Sequence, residues 1–446
     1  MYSVFSDPAF WHRIQFAFTI TYHYLFPQLT MGLAWFIVYW KWRALRTGEE
    51  RYNAAVRFWA RIFGLNFAVG VVTGIPMEFQ FGTNWASFSK YSGGVIGQTL
   101  AMEGMFAFFL ESAFVGALVF GEKRLGPRKH FLAAAGVALG SWLSAYFILV
   151  TNAFMQHPVG YAVTANGSLE ISDIGAYLNN PWAWVQFAHN QAAAVVTGSF
   201  VITSIGAFYT LRETYPDQAR LYLKYGTAVG LVASLLVVYP TGDEQAKMVG
   251  RHQEVALAAM EGRFHSGPMA EISMIGQPNV RERRLDNPIA IPGILSYLVK
   301  GSFHGNVRGL EEFPEDTWPD NIELLYYAFH LMVTMGMIFI GLMTVANVQR
   351  IRGRLESSKW LLWPLMLAFP FPYIANTLGW MTAELGRQPW LIYGLFRTSE
   401  GYSRVVSPGS TVFTLIGFVG LYFILGLLFL YLVGREIYHG PEATHG

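Results

Sequence analysis

Nine stretches of the chain are apolar for long enough to cross a bilayer, which takes roughly 20 mostly apolar residues in a helix. They cover about 15–39, 58–80, 95–120, 131–155, 184–210, 225–241, 323–348, 360–382 and 411–434. The sixth is short and runs into Tyr239-Pro240-Thr241-Gly242. Pro76, Pro364, Pro370 and Pro372 fall inside predicted spans, where neighbouring helices can satisfy the backbone groups that proline frees. The pattern predicts an all-α fold, a polytopic transmembrane helical bundle of about nine helices. Helices one to six fall within 1–242 and helices seven to nine within 323–446. A polar connection over 243–322 separates them, rich in charge (Asp243, Glu244, Arg251, Arg283, Arg284) and without a long apolar run. It reads as an extramembrane unit, partly helical over Gln253–Glu261. Connections this long are functional or disordered as a rule.

Lys and Arg in the short loops set the orientation, because they concentrate on the cytoplasmic side. Lys41, Arg43, Arg46, Arg51 and Arg57 follow span one, and Lys123, Arg124, Arg128 and Lys129 follow span three. Arg212, Arg220 and Lys224 follow span five, and Arg350, Arg352, Arg354 and Lys359 follow span seven. The alternate loops carry Lys90 alone after span two and no Lys or Arg over 156–183. The N-terminus is therefore expected outside and the C-terminus inside. Asp7, His12 and Arg13 precede the first apolar run without a small-residue cleavage site, so that run is expected to be a retained span.

Composition agrees with a membrane protein and narrows its chemistry. Charged residues make up 13% of 446, about half the usual share in soluble domains (about 25%). A net charge of +2 gives no nucleic-acid footprint. The absence of cysteine excludes disulfides, iron–sulfur clusters and thiolate chemistry. A redox cofactor would have to be held by His, Met or carboxylate.

Ionisable residues inside a bilayer are costly and are functional suspects by default. Here they are His23, Glu78, Glu103, Glu111, His189, His330 and Glu384. Imidazole and thioether are the usual axial ligands of heme iron. His23 lies about a third of the way into span one, either bonded to a neighbouring helix or ligating. His189 opens span five and Met332 lies in span seven, both near the outer ends of their helices. They are either a ligand pair on one heme or ordinary packing residues. Glu103 and Glu111, eight residues apart, would stand about 80° and about 12 Å apart on a straight helix. They either pass protons or serve as structural carboxylic acids. Glu384 with Arg387 is either an ion pair or a weak heme ligand beside an Arg that binds a propionate.

Several segments together resemble subunit I of the cytochrome bd quinol oxidases. They are Met77-Glu78-Phe79-Gln80-Phe81-Gly82-Thr83-Asn84-Trp85, Glu103-Gly104, Phe108-Phe109-Leu110-Glu111-Ser112 and Leu149-Val150-Thr151-Asn152-Ala153-Phe154-Met155-Gln156, then Gly379-Trp380 and Ala383-Glu384-Leu385-Gly386-Arg387-Gln388-Pro389-Trp390. The similarity extends over essentially the whole chain. It implies a terminal oxidase of the bacterial cytoplasmic (inner) membrane that oxidises quinol and reduces O2 to water, separating charge without pumping. It implies a low-spin heme b, a high-spin heme b and heme d, or a further heme b in its place. His189 and Met332 match the axial pair of the low-spin heme, and His23 and Glu384 match the ligands of the other two. Arg387 and Trp380 would flank the cofactors. Glu103 matches a carboxylate beside the oxygen-reducing site, Glu111 with Ser144 the inward proton path, and Glu261 a carboxylate of the quinol-oxidising loop. A second membrane subunit, and in some members a small single-span one, are the implied partners.

Two positions depart from the family's pattern. Ala256 stands where a Lys is usual, five residues before Glu261, with His252 the nearest replacement cation. His330 stands where an Arg is usual, two residues before Met332. On a helix the two lie about 200° apart, so His330 is not expected to face the heme of Met332. The short outer loop and His330 resemble the cyanide-insensitive branch. Two other readings compete: a membrane heme protein that relays electrons without reducing O2, and a non-heme transporter. The absence of an inverted repeat argues against the transporter.

Overall fold

The computed structural model describes residues 7–441. The first helix, α1 (Pro8–Thr47), is capped by Asp7, whose carboxylate accepts the Ala9 N–H at 2.9 Å, and stops at Gly48 with φ of 69°. Then come α2 (Glu50–Thr83), α3 (Ala86–Phe120), α4 (Glu122–Gln156), α5 (Pro181–Leu211) and α6 (Pro216–Val238). The long connection opens with α7 (Thr241–His252) and α8 (Glu254–Met260). The bundle resumes with α9 (Ile322–Ile351), α10 (Lys359–Leu367), α11 (Pro370–Arg387) and α12 (Pro408–His439). The predicted apolar stretches thus fall on helix, except that the sixth runs through the Tyr239-Pro240 turn after α6 and the eighth crosses the break between α10 and α11; most helices overrun their stretch at both ends.

Among the described residues, seven helical runs are long and apolar enough to cross a membrane, and α10 with α11 form an eighth as a bent pair. The bend is 42°. Pro370 begins its second half, where a missing N–H costs nothing. By composition α1 falls short of the other spans because it turns polar side chains inward: His12, Gln15, Thr19, Gln28 and Thr30 are all buried. α5 lies in the middle, with 78% of its most apolar window buried against 6% for α12 at the periphery. α1 and α5 touch backbone to backbone. A Cβ on Gly32 would stand 2.1 Å from the Ala194 carbonyl oxygen, and one on Gly198 would stand 2.8 Å from the Gly32 carbonyl carbon. Small residues at such a crossing let membrane helices pack closely.

Two departures from the expected pattern matter for the site. α3 is not a straight α-helix, since Glu103–Phe108 forms a π-helical stretch. π turns are wider than α turns and recur at functional sites. The separation worked out for Glu103 and Glu111 on an ideal helix therefore does not apply. The connection over 243–322 is a folded cap rather than a tether. Antiparallel strands β3 (Ile272–Asn279) and β4 (Arg284–Ile291) form a bulged hairpin in it, which apolar periodicity did not predict. Val255, Leu257, Met260, Phe264, Leu295 and Leu310 make its core, continuous with Ile322 and Leu325 of α9. There are two smaller hairpins, β1–β2 (Tyr161–Val163, Leu169–Ile171) and β5–β6 (Trp390–Ile392, Phe396–Arg397).

Candidate functional site

His23 projects from α1 onto α2, where its Nδ1 lies 3.1 Å from Thr73 Oγ1. The ring lies against the helix backbone: a Cβ on Gly74 would stand 2.8 Å from its Cε1. His189, near the start of α5, meets the first residues of α7 in the same way. Its Nδ1 is 3.2 Å from Thr241 Oγ1, and its Cε1 would lie 3.5 Å from a Cβ on Gly242. The Met332 sulfur on α9 faces α11, 3.0 Å from where a Gly379 Cβ would be. His330 points elsewhere. Its ring nitrogens lie 2.8 Å from the Tyr326 carbonyl and 2.7 Å from the Ser273 carbonyl, and it stacks on Tyr326. It thus ties α9 to β3, in keeping with the angular separation expected from Met332.

Glu384 sits in a polar cluster drawn from three helices and from Gln253 at the joint between α7 and α8. One carboxylate oxygen accepts from Asn152 Nδ2 at 2.8 Å, and the other pairs with Arg387. Asn152 in turn accepts from Gln186 Nε2 at 2.8 Å. Gln156 donates to the Ala383 carbonyl, and Gln253 donates to Gln156. Arg387 is only 3% exposed, yet its Nε and Nη1 have no partner. Trp380 is half-buried one turn before Glu384 on α11. Asn152 and Gln186 were not singled out from sequence as members of this cluster; polar side chains inside apolar spans were the available signal.

Glu103 opens the π-helical stretch and accepts a 2.6 Å hydrogen bond from Ser144 of α4. Ser144 thus pairs with Glu103. Glu111 is buried one segment further along α3, with its backbone packed on Gly140 of α4. Glu78 lies at an exposed position on α2, within electrostatic reach of Glu103.

Glu261 closes α8 inside the folded cap, 5% exposed, with Oε2 unpartnered. Burial pushes its carboxyl up to about 8, opposed by the Ser273 backbone N–H. Ser273 also links to Tyr326 through a 2.8 Å hydroxyl contact, so Glu261, the hairpin and α9 meet at one residue. His252 packs against His157, with ring centres 4.1 Å apart and planes tilted by 38°.

The family model for cytochrome bd terminal oxidase subunit I matches residues 11–441. The chain belongs to this family. It is 36% identical to the cytochrome bd ubiquinol oxidase subunit 1 of Bacillus subtilis, over 96% of this chain and 93% of that one. It is 32% identical to the cytochrome bd-II ubiquinol oxidase subunit 1 of Escherichia coli, over 97% and 96% of the two chains. The bd oxidase structure from Geobacillus thermodenitrificans superposes with a TM-score of 0.89 at 30% identity, covering 97% of this chain and 99% of that one.

A cytochrome holds heme, and the residues present suit one. Neither His23 nor His189 uses Nε2 in a hydrogen bond among the described residues. The two unpartnered nitrogens of buried Arg387 are the donors a propionate would satisfy. With both oxygens of Glu384 already hydrogen-bonded, a remaining carboxylate lone pair is left for a metal.

Proposed function

We propose that the chain is the heme-bearing, quinol-oxidising subunit of a terminal oxidase that passes electrons from quinol to O2. The observation that carries this reading is the donor set inside the bundle: two imidazoles with Nε2 unbonded, a thioether, and a carboxylate beside an incompletely paired Arg. His189 and Met332 hold the low-spin heme b. His23 and Glu384 hold a high-spin heme b and heme d, or a further heme b. When bound, these groups supply one-electron transfer and the iron at which O2 is reduced. Arg387 binds a propionate, and Trp380 packs beside it.

Glu261 takes a proton from quinol at the outer cap, where its unpartnered oxygen can accept one. Glu111, Ser144 and Glu103 bring protons from the inner side, the last two already joined by a 2.6 Å bond. Release outside and uptake inside separate charge without a pumped proton. This arrangement takes nine spans, α1 included, with the N-terminus outside. It divides the chain at about 243–322, with the cap as the quinol-binding unit. The partners are a second membrane subunit and a small single-span one, in the inner membrane of a bacterium. The test is carbon monoxide binding to the reduced complex. An oxidase shows a band shift from an open iron position, and an electron relay with closed coordination shows none.

A further inference from the structure

We infer that two threonine–glycine pairs, Thr73-Gly74 and Thr241-Gly242, are positioning clamps that fix the tautomer and ring orientation of His23 and His189. The inference deepens the proposed ligation by those two histidines and rests on it.

A hydroxyl has one proton to give, and in both clamps the backbone takes it. Thr73 Oγ1 donates to the Val69 carbonyl at 2.9 Å, with the Gly70 carbonyl at 3.1 Å. Thr241 Oγ1 donates to the Leu236 carbonyl at 2.7 Å. Toward the imidazole each threonine oxygen can therefore only accept. With the Gly70 backbone also bonded to His23 and the Val237 backbone to His189, this arrangement assigns the proton to His23 Nδ1, 3.1 Å from Thr73, and to His189 Nδ1, 3.2 Å from Thr241. That leaves Nε2 of both rings as an unprotonated lone pair, the form a metal needs. The bond made by the far ring nitrogen is what sets tautomer and angle in a ligating histidine.

At Gly74 the glycine supplies the second half of the clamp. Any side chain at Gly74 would begin 2.8 Å from His23 Cε1, so the ring can lie flat on α2 only because this residue is glycine. At Gly242 the ring contact would be an ordinary 3.5 Å, and the Val237 carbonyl at 2.5 Å is what excludes a side chain. The two clamps belong to different elements, α2 and the start of α7, and hold histidines from α1 and α5. The threonine contact thus arises twice without a sequence repeat, while the glycine shapes the seat of the ring at Gly74 alone. A threonine oxygen is neutral, so it holds the ring without the strong pull of a carboxylate, and both ligands stay neutral imidazoles.

The experiment uses the complete purified oxidase complex and measures heme content after extraction, the reduced spectrum and the midpoint potential of each heme. Thr73→Val and Thr241→Val keep the shape and remove the acceptor. Each is expected to weaken retention of its own heme by roughly 10–100-fold and to raise that heme's potential, leaving the other heme unchanged. Thr→Ser at either position should restore both readouts. Gly74→Ala should reproduce the Thr73→Val effect by displacing the ring. If a Val variant does not assemble, Ala at the same position reads the same loss. His23→Ala and His189→Ala separate the two levels of the claim. Wild-type retention and potentials in both Val variants, with heme lost in both His variants, would overturn the clamps and leave the ligation standing. Unchanged hemes in the His variants would overturn the ligation reading and the clamps with it.

Discussion

Replacing Glu261 with Gln separates a structural carboxyl from a working one. The native side chain is 5% exposed, and its ionisation is shifted from 4.5 to about 8. At about 1.4 kcal/mol per pH unit the full shift corresponds to about 5 kcal/mol against the charged form in the folded cap. The sign follows from linkage: a raised folded value favours the protonated chain. The stability it contributes is complete below about 4.5 and is lost as pH rises through about 8. At pH 7 about 2.5 units of that loss, on the order of 3 kcal/mol, have been incurred. Gln keeps the shape and never ionises, so Glu261→Gln should be at least as heat-stable as the native complex at pH 7 to 8. If Glu261 takes the quinol proton, the same variant should lose quinol oxidation while dithionite still reduces every heme. In the native complex, quinol turnover should follow the ionised fraction, rising about fivefold from pH 7 to pH 8 and levelling above 9. Steady-state oxygen uptake with a soluble quinol across that range, alongside a thermal-shift scan, makes both measurements. A flat profile from 6.5 to 9, or a Gln variant that turns over normally, would refute the assignment of Glu261 as proton acceptor.

Three further substitutions probe the bundle. Glu111→Gln should slow oxygen reduction in flow-flash kinetics while leaving the first reduction of the complex by quinol unchanged, because Glu111 lies on the proposed inward path and not at the cap. Arg387→Met leaves Glu384 without its cation in a cluster where Arg387 is 3% exposed. Loss of one partner of a buried pair costs about 3–5 kcal/mol, and the partial exposure of Glu384 puts the expected loss at the lower end, read as a drop in thermal midpoint together with lower heme content. Gly32→Ala places a methyl 2.1 Å from the Ala194 carbonyl and should separate α1 from α5, lowering the yield of assembled complex. Normal yield and stability would show that this crossing yields easily.

The helical architecture was legible because long apolar runs admit few alternatives in a chain with 13% charge. Their ends were not, because helices continue past the apolar stretch on capping residues such as Asp7, and α6 begins at Pro216 among polar side chains. The π-helical stretch carries no local mark: Glu103-Gly104-Met105 looks like ordinary helix until its packing on α4 is seen. The β3–β4 hairpin escaped because its bulges break strict alternation. The candidate ligands stood out as imidazole, thioether and carboxylate in apolar surroundings. Their supports did not, since Thr73, Thr241, Asn152 and Gln186 are neutral polar residues whose roles depend on which helix lies opposite. A threonine followed by glycine in or beside an apolar span was the signal available for the first two.

The most direct test of the account is the dithionite-reduced minus oxidised spectrum of the purified complex, with heme extraction, for the native protein and for His189→Ala and Met332→Ala. The account predicts a low-spin b-type band that either substitution removes, while the remaining hemes persist. A colourless native complex, or three indistinguishable spectra, would contradict it.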